Sequence, residues 1–376
     1  ERESSGELIE LRENEEIKGK TLLIPVYKNK EVVSVDQLPK FKGNGKILND
    51  FIQWIGDERI IYSMFSHKSY VNPKTIQKVN DFLENEKNFN NSNQTGNIYY
   101  QIENLMSHVN ITLKDIDKFK HLTDEIVHFK RIRVTLEKAK IEKLEKLIEK
   151  VRIYKDPSKE KEILKKKFSS GEINLDDYTV QIEILSKMSN EEEFSYNNIT
   201  LKIKHLINHY YVPIIISENE KINYINHIIN AGSERNFIKN LEKYIAEPDN
   251  FLKQFDYWMF CKLDEHLDKV YVPYYNKDHN KIENFKPDFI FWLKKGQNYF
   301  IIFVDPKGTK HTDYEYKVDG YKTIFEENDN TKQFLSDGLK IRVYLFLFTE
   351  DINKLPDGYK KYWFDNFENL MNKFKI

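Results

Sequence analysis

The sequence predicts an α/β protein. It ends in a unit of helix, three strands, helix and strand, preceded by a mostly helical region with a long helical hairpin at about 116–190. Three observations carry this expectation. Past about residue 200, helical and strand patterns alternate within one compact stretch. Inside it, residues 299–304 are almost wholly apolar, as a strand buried on both faces must be. Ahead of it, Val127, Val134, Ile141 and Ile148 recur at one heptad position and Leu144 and Val151 at another, among lysines and glutamates.

With 376 residues the chain has room for two or three domains, placed at 1–70, 71–200 and 201–376. Apolar residues make up 40% and aromatics 14%, which argues against wholesale disorder. Charged residues reach 32%, yet the net charge is −1. A nucleic-acid partner therefore needs charge segregated onto one face. The single cysteine, Cys261, excludes an internal disulfide and a cysteine-based zinc site, and fits a reducing, cytoplasmic interior. No apolar run of about 18 residues predicts a membrane span, and no signal-peptide pattern is present. The charged opening, residues 1–20, reads like the middle of a longer polypeptide, so the expectation is an excised fragment.

In the first half, residues 21–27 and 59–65 read as short strands. Short helical patterns between 72 and 115 are broken by an Asn-rich loop at 88–97. Residues 123–154 read as one long helix. Asp156-Pro157 then stops it and starts the next, with Asp as N-cap and Pro at the first helical position. That second helix ends near Ser169-Ser170-Gly171, giving a helical hairpin. Its lysines suit either a solvated face with i,i+4 ion pairs or a DNA-tracking surface.

In the second half, residues 233–246 form a helix with Phe237, Ile238, Leu241, Tyr244 and Ile245 on one face. Residues 255–267 read as another helix, which puts Cys261 in its core. Strands follow at 270–275, 288–293 and 299–304, then a helix at 313–326, a strand at 341–348 and a closing helix at 358–374.

The acids fall at particular places on this sheet. Asp288 follows Pro287 at the start of one strand, and Asp305 ends the next. The turn Lys294-Lys295-Gly296-Gln297 makes the two strands an antiparallel hairpin, so Asp288 and Asp305 become neighbours. Paired carboxylates repel unless a cation neutralises them. Oxygen ligands select a hard ion such as Mg²⁺, with Mn²⁺ as a substitute. The Pro306 carbonyl offers a third oxygen. Lys307, two residues past Asp305, can hold the attacking water and help deprotonate it. His311 and Lys317 lie within reach of a phosphate, although a solvated role is equally open to each.

Pro287-Asp288, a hairpin, then Asp305-x-Lys307 resembles the PD-(D/E)xK nuclease superfamily in motif and in element order. The segments Trp258-Met259-Phe260-Cys261-Lys262-Leu263-Asp264-Glu265, Val272-Pro273-Tyr274-Tyr275, Phe285-Lys286-Pro287-Asp288-Phe289-Ile290-Phe291-Trp292 and Val304-Asp305-Pro306-Lys307-Gly308-Thr309 look like the nuclease end of type III restriction-enzyme-like DEAD/DEAH helicases. Asp319-Gly320-Tyr321 looks similar too. The likeness covers about the last two-fifths of the chain. Residues 19–27 faintly resemble sequence just after the helicase motor. The resemblance implies a restriction-endonuclease-like core and a Mg²⁺-dependent endonuclease acting on DNA. It also implies a helicase motor in the parent polypeptide or complex, and Glu234 as a further metal ligand. Two departures stand out: the third acid is Asp305 where the family often has Glu, and Pro306 removes a backbone donor at the strand end.

Other motifs are poorer. His205 and His209 are four apart on an expected helix, but the intervening residues lack the Glu of a zinc protease. No Gly-rich phosphate loop is present, so ATP hydrolysis is not expected of this chain. The reading is a Mg²⁺-dependent DNA endonuclease module of a restriction or phage-defence helicase–nuclease. Its rivals are a catalytically inactive DNA clamp and a helical scaffold that docks a methyltransferase subunit or another copy of itself.

Overall fold

The computed structural model describes residues 6–28, 116–276, 281–306, 314–350 and 352–374. The strand expected at 59–65, the helical patterns between 72 and 115 and the Asn-rich loop lie outside the described residues. The first strands are β1 (Glu7–Ile9), β2 (Arg12–Glu13) and β3 (Leu23–Tyr27). Next come β4 (Ile116–His121), β5 (Ile132–Val134) and the helices α1 (Lys138–Arg152), α2 (Pro157–Ser169) and α3 (Leu175–Ser186). Then follow β6 (Glu191–Tyr196), β7 (Ile199–Lys204), β8 (Tyr211–Val212) and β9 (Ile214–Ser217). The remainder runs α4 (Gly232–Ala246), β10 (Tyr257–Lys262), β11 (Val272–Asn276), β12 (Lys281–Phe285), β13 (Phe289–Lys295), β14 (Asn298–Asp305) and α5 (Tyr314–Phe325). After it come β15 (Glu326–Glu327), β16 (Asn330–Thr331), β17 (Phe334–Ser336), β18 (Leu339–Phe348), β19 (Trp363–Phe364) and α6 (Phe367–Lys373).

The central sheet has the order β10-β13-β14-β18-β17, with β19 beside the end of β18. β13 runs antiparallel to both of its neighbours, β10 and β14, whereas β14 and β18 are parallel and joined across α5. Lys295 pairs with Asn298 across a two-residue turn. Gly296 enters that turn at φ +59, where a Cβ would be strained.

Both faces of this sheet are covered, which is why its strands are apolar almost throughout. On one side Phe237 of α4 packs on Phe289, ring centroids 4.6 Å apart, and Phe374 beyond α6 meets Phe291 and Phe346. The other side carries α5 and β3, which meet through Phe325 and Tyr27. Residues just before and at the start of β3 are gripped by polar tips reaching out of the sheet. The Trp292 indole donates to the Leu23 carbonyl, and the Tyr299 hydroxyl accepts from the Leu23 amide while donating to the Thr21 carbonyl. The amino-terminal strands are thus built into the body: β3 pairs β4, β1 pairs β5 and β2 pairs β8. Among the described residues no helix is long and apolar enough to cross a membrane.

Several expectations need correction. Residues 257–262 are a strand, the first of the central sheet, not part of a helix at 255–267. Their run Trp258-Met259-Phe260-Cys261 is buried on both faces, and such a short apolar run carries no period to separate strand from helix. Cys261 is core, as expected, but in that strand. β11 therefore is not a strand of the central sheet; it pairs only with β12 in a two-stranded ribbon. The helix expected at 123–154 is confined to α1, about 22 Å long at about 1.5 Å per residue. Val134 lies in β5. α2 starts where expected, with the Asp156 carboxylate accepting from the Ser158 amide. Its helical neighbour is α3, however, while α1 packs on β6 and β7. His205 and His209 do not share a helix. The closing helix is only Phe367–Lys373, after the short strand β19.

Candidate active site

The register of the sheet sets the site. Phe289 of β13 pairs with Val304 of β14, so one step outward brings Asp288 opposite Asp305. On the other flank Lys262 pairs with Phe289, and the Leu263 amide donates to the Asp288 carbonyl at 2.7 Å. Lys262, Asp288 and Asp305 therefore stand on three adjacent strands at one end of the sheet. Pro287 and Pro306 bracket the aspartates. Backbone pairing of β14 stops at Asp305, so Pro306 costs the ladder no donor.

Glu234 arrives from α4. Its neighbours Phe237, Ile238 and Leu241 are buried and lie at i+3, i+4 and i+7, the stripe a helix turns toward a core. Glu234 heads that stripe and is carried inward with it. It is 5% exposed and Asp288 is 3% exposed. Between them lies the Lys262 ammonium, 3.3 Å from Glu234 Oε1 and 3.8 Å from Asp288 Oδ1. It also donates to the Leu263 carbonyl at 2.6 Å. Carboxylates this far from water require a cation or hydrogen-bond donors.

Behind the site, β10 is flanked by residues 208–210, which bond to Phe260 on both sides of its peptide. There the Lys262 amide donates to His209 Nε2 at 3.1 Å. The ring proton accordingly sits on Nδ1, which donates to the Tyr211 carbonyl at 2.8 Å. Burial pulls the His209 pKa down to about 3, so the ring is neutral. The connection after β10 is fastened by Asp268, whose carboxylate accepts from the amides of Val127, His128 and Asp264 and lies 2.7 Å from His128 Nδ1.

Of the residues expected at the site, Glu234, Asp288 and Asp305 are gathered at this sheet end, with Pro306 following Asp305. Lys307 and His311 lie outside the described residues. Lys317, on α5, places its ammonium over the Phe285 ring, 4.9 Å from the centroid, two residues before Pro287. α5 can approach β11 that closely only because residue 320 is glycine: a Cβ there would fall 2.5 Å from the Cβ of Tyr274. Among the described residues no group of three or more His, Cys, Asp and Glu closes on a common point. Glu234 and Asp288 offer oxygen alone and share one cation, the Lys262 ammonium.

The sequence pattern did not single out Lys262. Its signal was a lone lysine between Cys261 and Leu263 at the end of an apolar run, where no solvated face is available for an ammonium.

Residues 225–338 match the YagJ family, under a third of the chain. The match begins just before α4, ends just before β18 and includes every residue of the candidate site. No curated protein and no solved structure matches the chain.

Proposed function

We propose that this chain carries a metal-dependent nuclease that hydrolyses phosphodiester bonds in DNA. The observation that carries the reading is the register of β13 and β14, which sets Asp288 opposite Asp305 beside the buried Glu234. Further support comes from the element order α4, β10, β13, β14, α5, β18, which is the helix–three strands–helix–strand order of the PD-(D/E)xK nucleases once the β11–β12 ribbon and the short strands β15–β17 are set aside.

In this reading Glu234, Asp288, Asp305 and the Pro306 carbonyl hold Mg²⁺, with Mn²⁺ as a substitute. The bound ion would acidify water and neutralise phosphate charge. Lys307 orients the attacking water and stabilises the negative charge that develops on the phosphate. The module belongs to a restriction or phage-defence helicase–nuclease, with the α2–α3 hairpin as a spacer or DNA-contacting arm.

A second reading is an interaction scaffold. The α2–α3 hairpin exposes Ile163, Phe168, Leu175, Val180 and Ile184, apolar area suited to docking a methyltransferase subunit or a second copy. A clean monomer at high concentration would remove self-association.

Cleavage of plasmid DNA with Mg²⁺ or Mn²⁺ tests the nuclease. We expect nicking or linearisation by the intact chain, reduced at least about 100-fold in Asp305→Ala and in Lys307→Ala. Activity surviving both substitutions would refute the site. Silence of all three proteins, with no metal-induced stabilisation dependent on Asp288 and Asp305, would leave a nuclease-fold DNA clamp.

A further inference from the structure

Beside two of the acids that the nuclease reading makes metal ligands, Glu234 and Asp288, the structure holds an ammonium. We infer that Lys262 is the built-in counter-ion of the acid cluster, and that a divalent cation binds in exchange for it. This rests on the metal-dependent reading above.

Glu234 and Asp288 are nearly sealed from solvent, and two such carboxylates facing one locus repel each other. The Lys262 side chain, only 12% exposed, enters that locus from the end of β10 and lies within 4 Å of both acids. Its position is enforced from the backbone, because the Lys262 amide is tied to His209 Nε2 and the next amide to the Asp288 carbonyl. A dication and an ammonium held within about 4 Å of each other at low dielectric are strongly repulsive, so the two exclude one another. The ammonium nevertheless has somewhere to stay. It keeps the Leu263 carbonyl at 2.6 Å and the face of Phe289, 6.0 Å from the ring centroid. Four methylenes give it the reach to pivot about these partners while leaving the acids.

Exchange has a consequence that simple addition lacks. The protein without metal is stabilised at the site by its own lysine, and metal affinity is lowered by the work of displacing it. Removing the lysine charge must therefore loosen the metal-free fold and tighten metal binding together.

The experiment is titration of the full chain with Mn²⁺ by calorimetry, with thermal melts with and without Mn²⁺. The proteins are wild type, Lys262→Met, Lys262→Gln and Asp288→Asn. We expect both Lys262 variants to melt lower than wild type without metal, to bind Mn²⁺ at least about tenfold more tightly, and to gain a larger Mn²⁺-induced rise in Tm. Asp288→Asn should lose binding. If a Lys262 variant fails to fold alone, refolding with Mn²⁺ but not at matched ionic strength with NaCl supports exchange, and failure in both overturns it. Equal or weaker Mn²⁺ binding by folded Lys262 variants, with wild type still binding through Asp288, overturns the exchange and leaves the metal reading standing. No Mn²⁺ binding by any of the four proteins overturns both.

Discussion

Two buried charge clusters meet along residues 262–268, and they are built differently. Around Asp268 the carboxylate oxygens are occupied by backbone amides of Val127, His128 and Asp264, with His128 Nδ1 at 2.7 Å. Asp264 likewise accepts from the amides of His266 and Leu267. In the other cluster Glu234 and Asp288 meet a side-chain ammonium, Lys262. Burial is nearly equal in both, with Asp268 1% and Asp288 3% exposed. The kind of partner is what separates them. A backbone amide cannot leave a carboxylate without local unfolding, whereas an ammonium on a four-carbon stem can move aside. The first cluster ties chain segments together through the backbone, and the second includes a side-chain partner, which is the distinction the exchange proposal tests.

The largest expected effect tests that division directly. Asp268→Ala strands three amides and the buried His128, and should cost about 3–5 kcal/mol of stability in urea unfolding. Asp288→Asn keeps the shape, relieves repulsion with Glu234 and leaves Lys262 its other acid, so the destabilisation should stay below about 1 kcal/mol. Mn²⁺-induced stabilisation should show the reverse pattern, surviving in any folded Asp268 variant and vanishing in Asp288→Asn. If Asp288→Asn proves as destabilising as Asp268→Ala, both clusters are structural and the comparison collapses.

A second effect is read from pH. His209 is held at about 3 by burial, with the Tyr211 carbonyl opposing and His128 adding to the depression. Its folded pKa lies below the ordinary 6.5, so the unfolded chain binds the proton first as pH falls. Its contribution is complete above about 6.5 and is lost progressively toward about 3. Asp264 works in the same direction: His227 heads the causes that depress its carboxyl, so its contribution is lost as pH falls through that lowered value. Replacing His209 with Gln should flatten the acid limb by about 2 kcal/mol at pH 5 relative to pH 7, measured by urea unfolding at each pH. An unchanged limb would mean that the ring is not the neutral acceptor beneath Lys262.

The sequence made legible those parts where local chemistry and tertiary structure agree. The β13–β14 hairpin could be read from Gly296 and the flanking apolar runs, and with it the approach of Asp288 to Asp305. The α2 start could be read from Asp156-Pro157, because a cap is a local interaction. β10 could not, since complete burial erases the period that distinguishes strand from helix. The helix expected from residue 123 failed for a related reason. Val134 repeats the helical spacing, yet it pairs with Glu7 in a strand, a partner 127 positions away in sequence that no local pattern encodes. Lys262 was obscured by the same error, because its role depends on which strands stand beside it. For Glu234, the helix face was readable, and only the sheet beneath it shows that the face points to Lys262 and Asp288.

The smallest expected effect concerns charge that belongs to neither cluster. Lys165, Lys166 and Lys167 on α2 are exposed, where ion pairs contribute little to stability. Changing all three to Gln should alter unfolding free energy by no more than about 0.5 kcal/mol. If the hairpin is a DNA-contacting arm, the slope of log affinity against log salt should shallow by about 0.9 for each phosphate the arm no longer neutralises, up to about 3 in all. Binding of duplex DNA measured from low to physiological salt, in wild type and the triple variant, gives that slope. A slope left unchanged would return these lysines to a solvated face and assign the hairpin to spacing or protein docking, where its exposed Leu175 and Val180 already point.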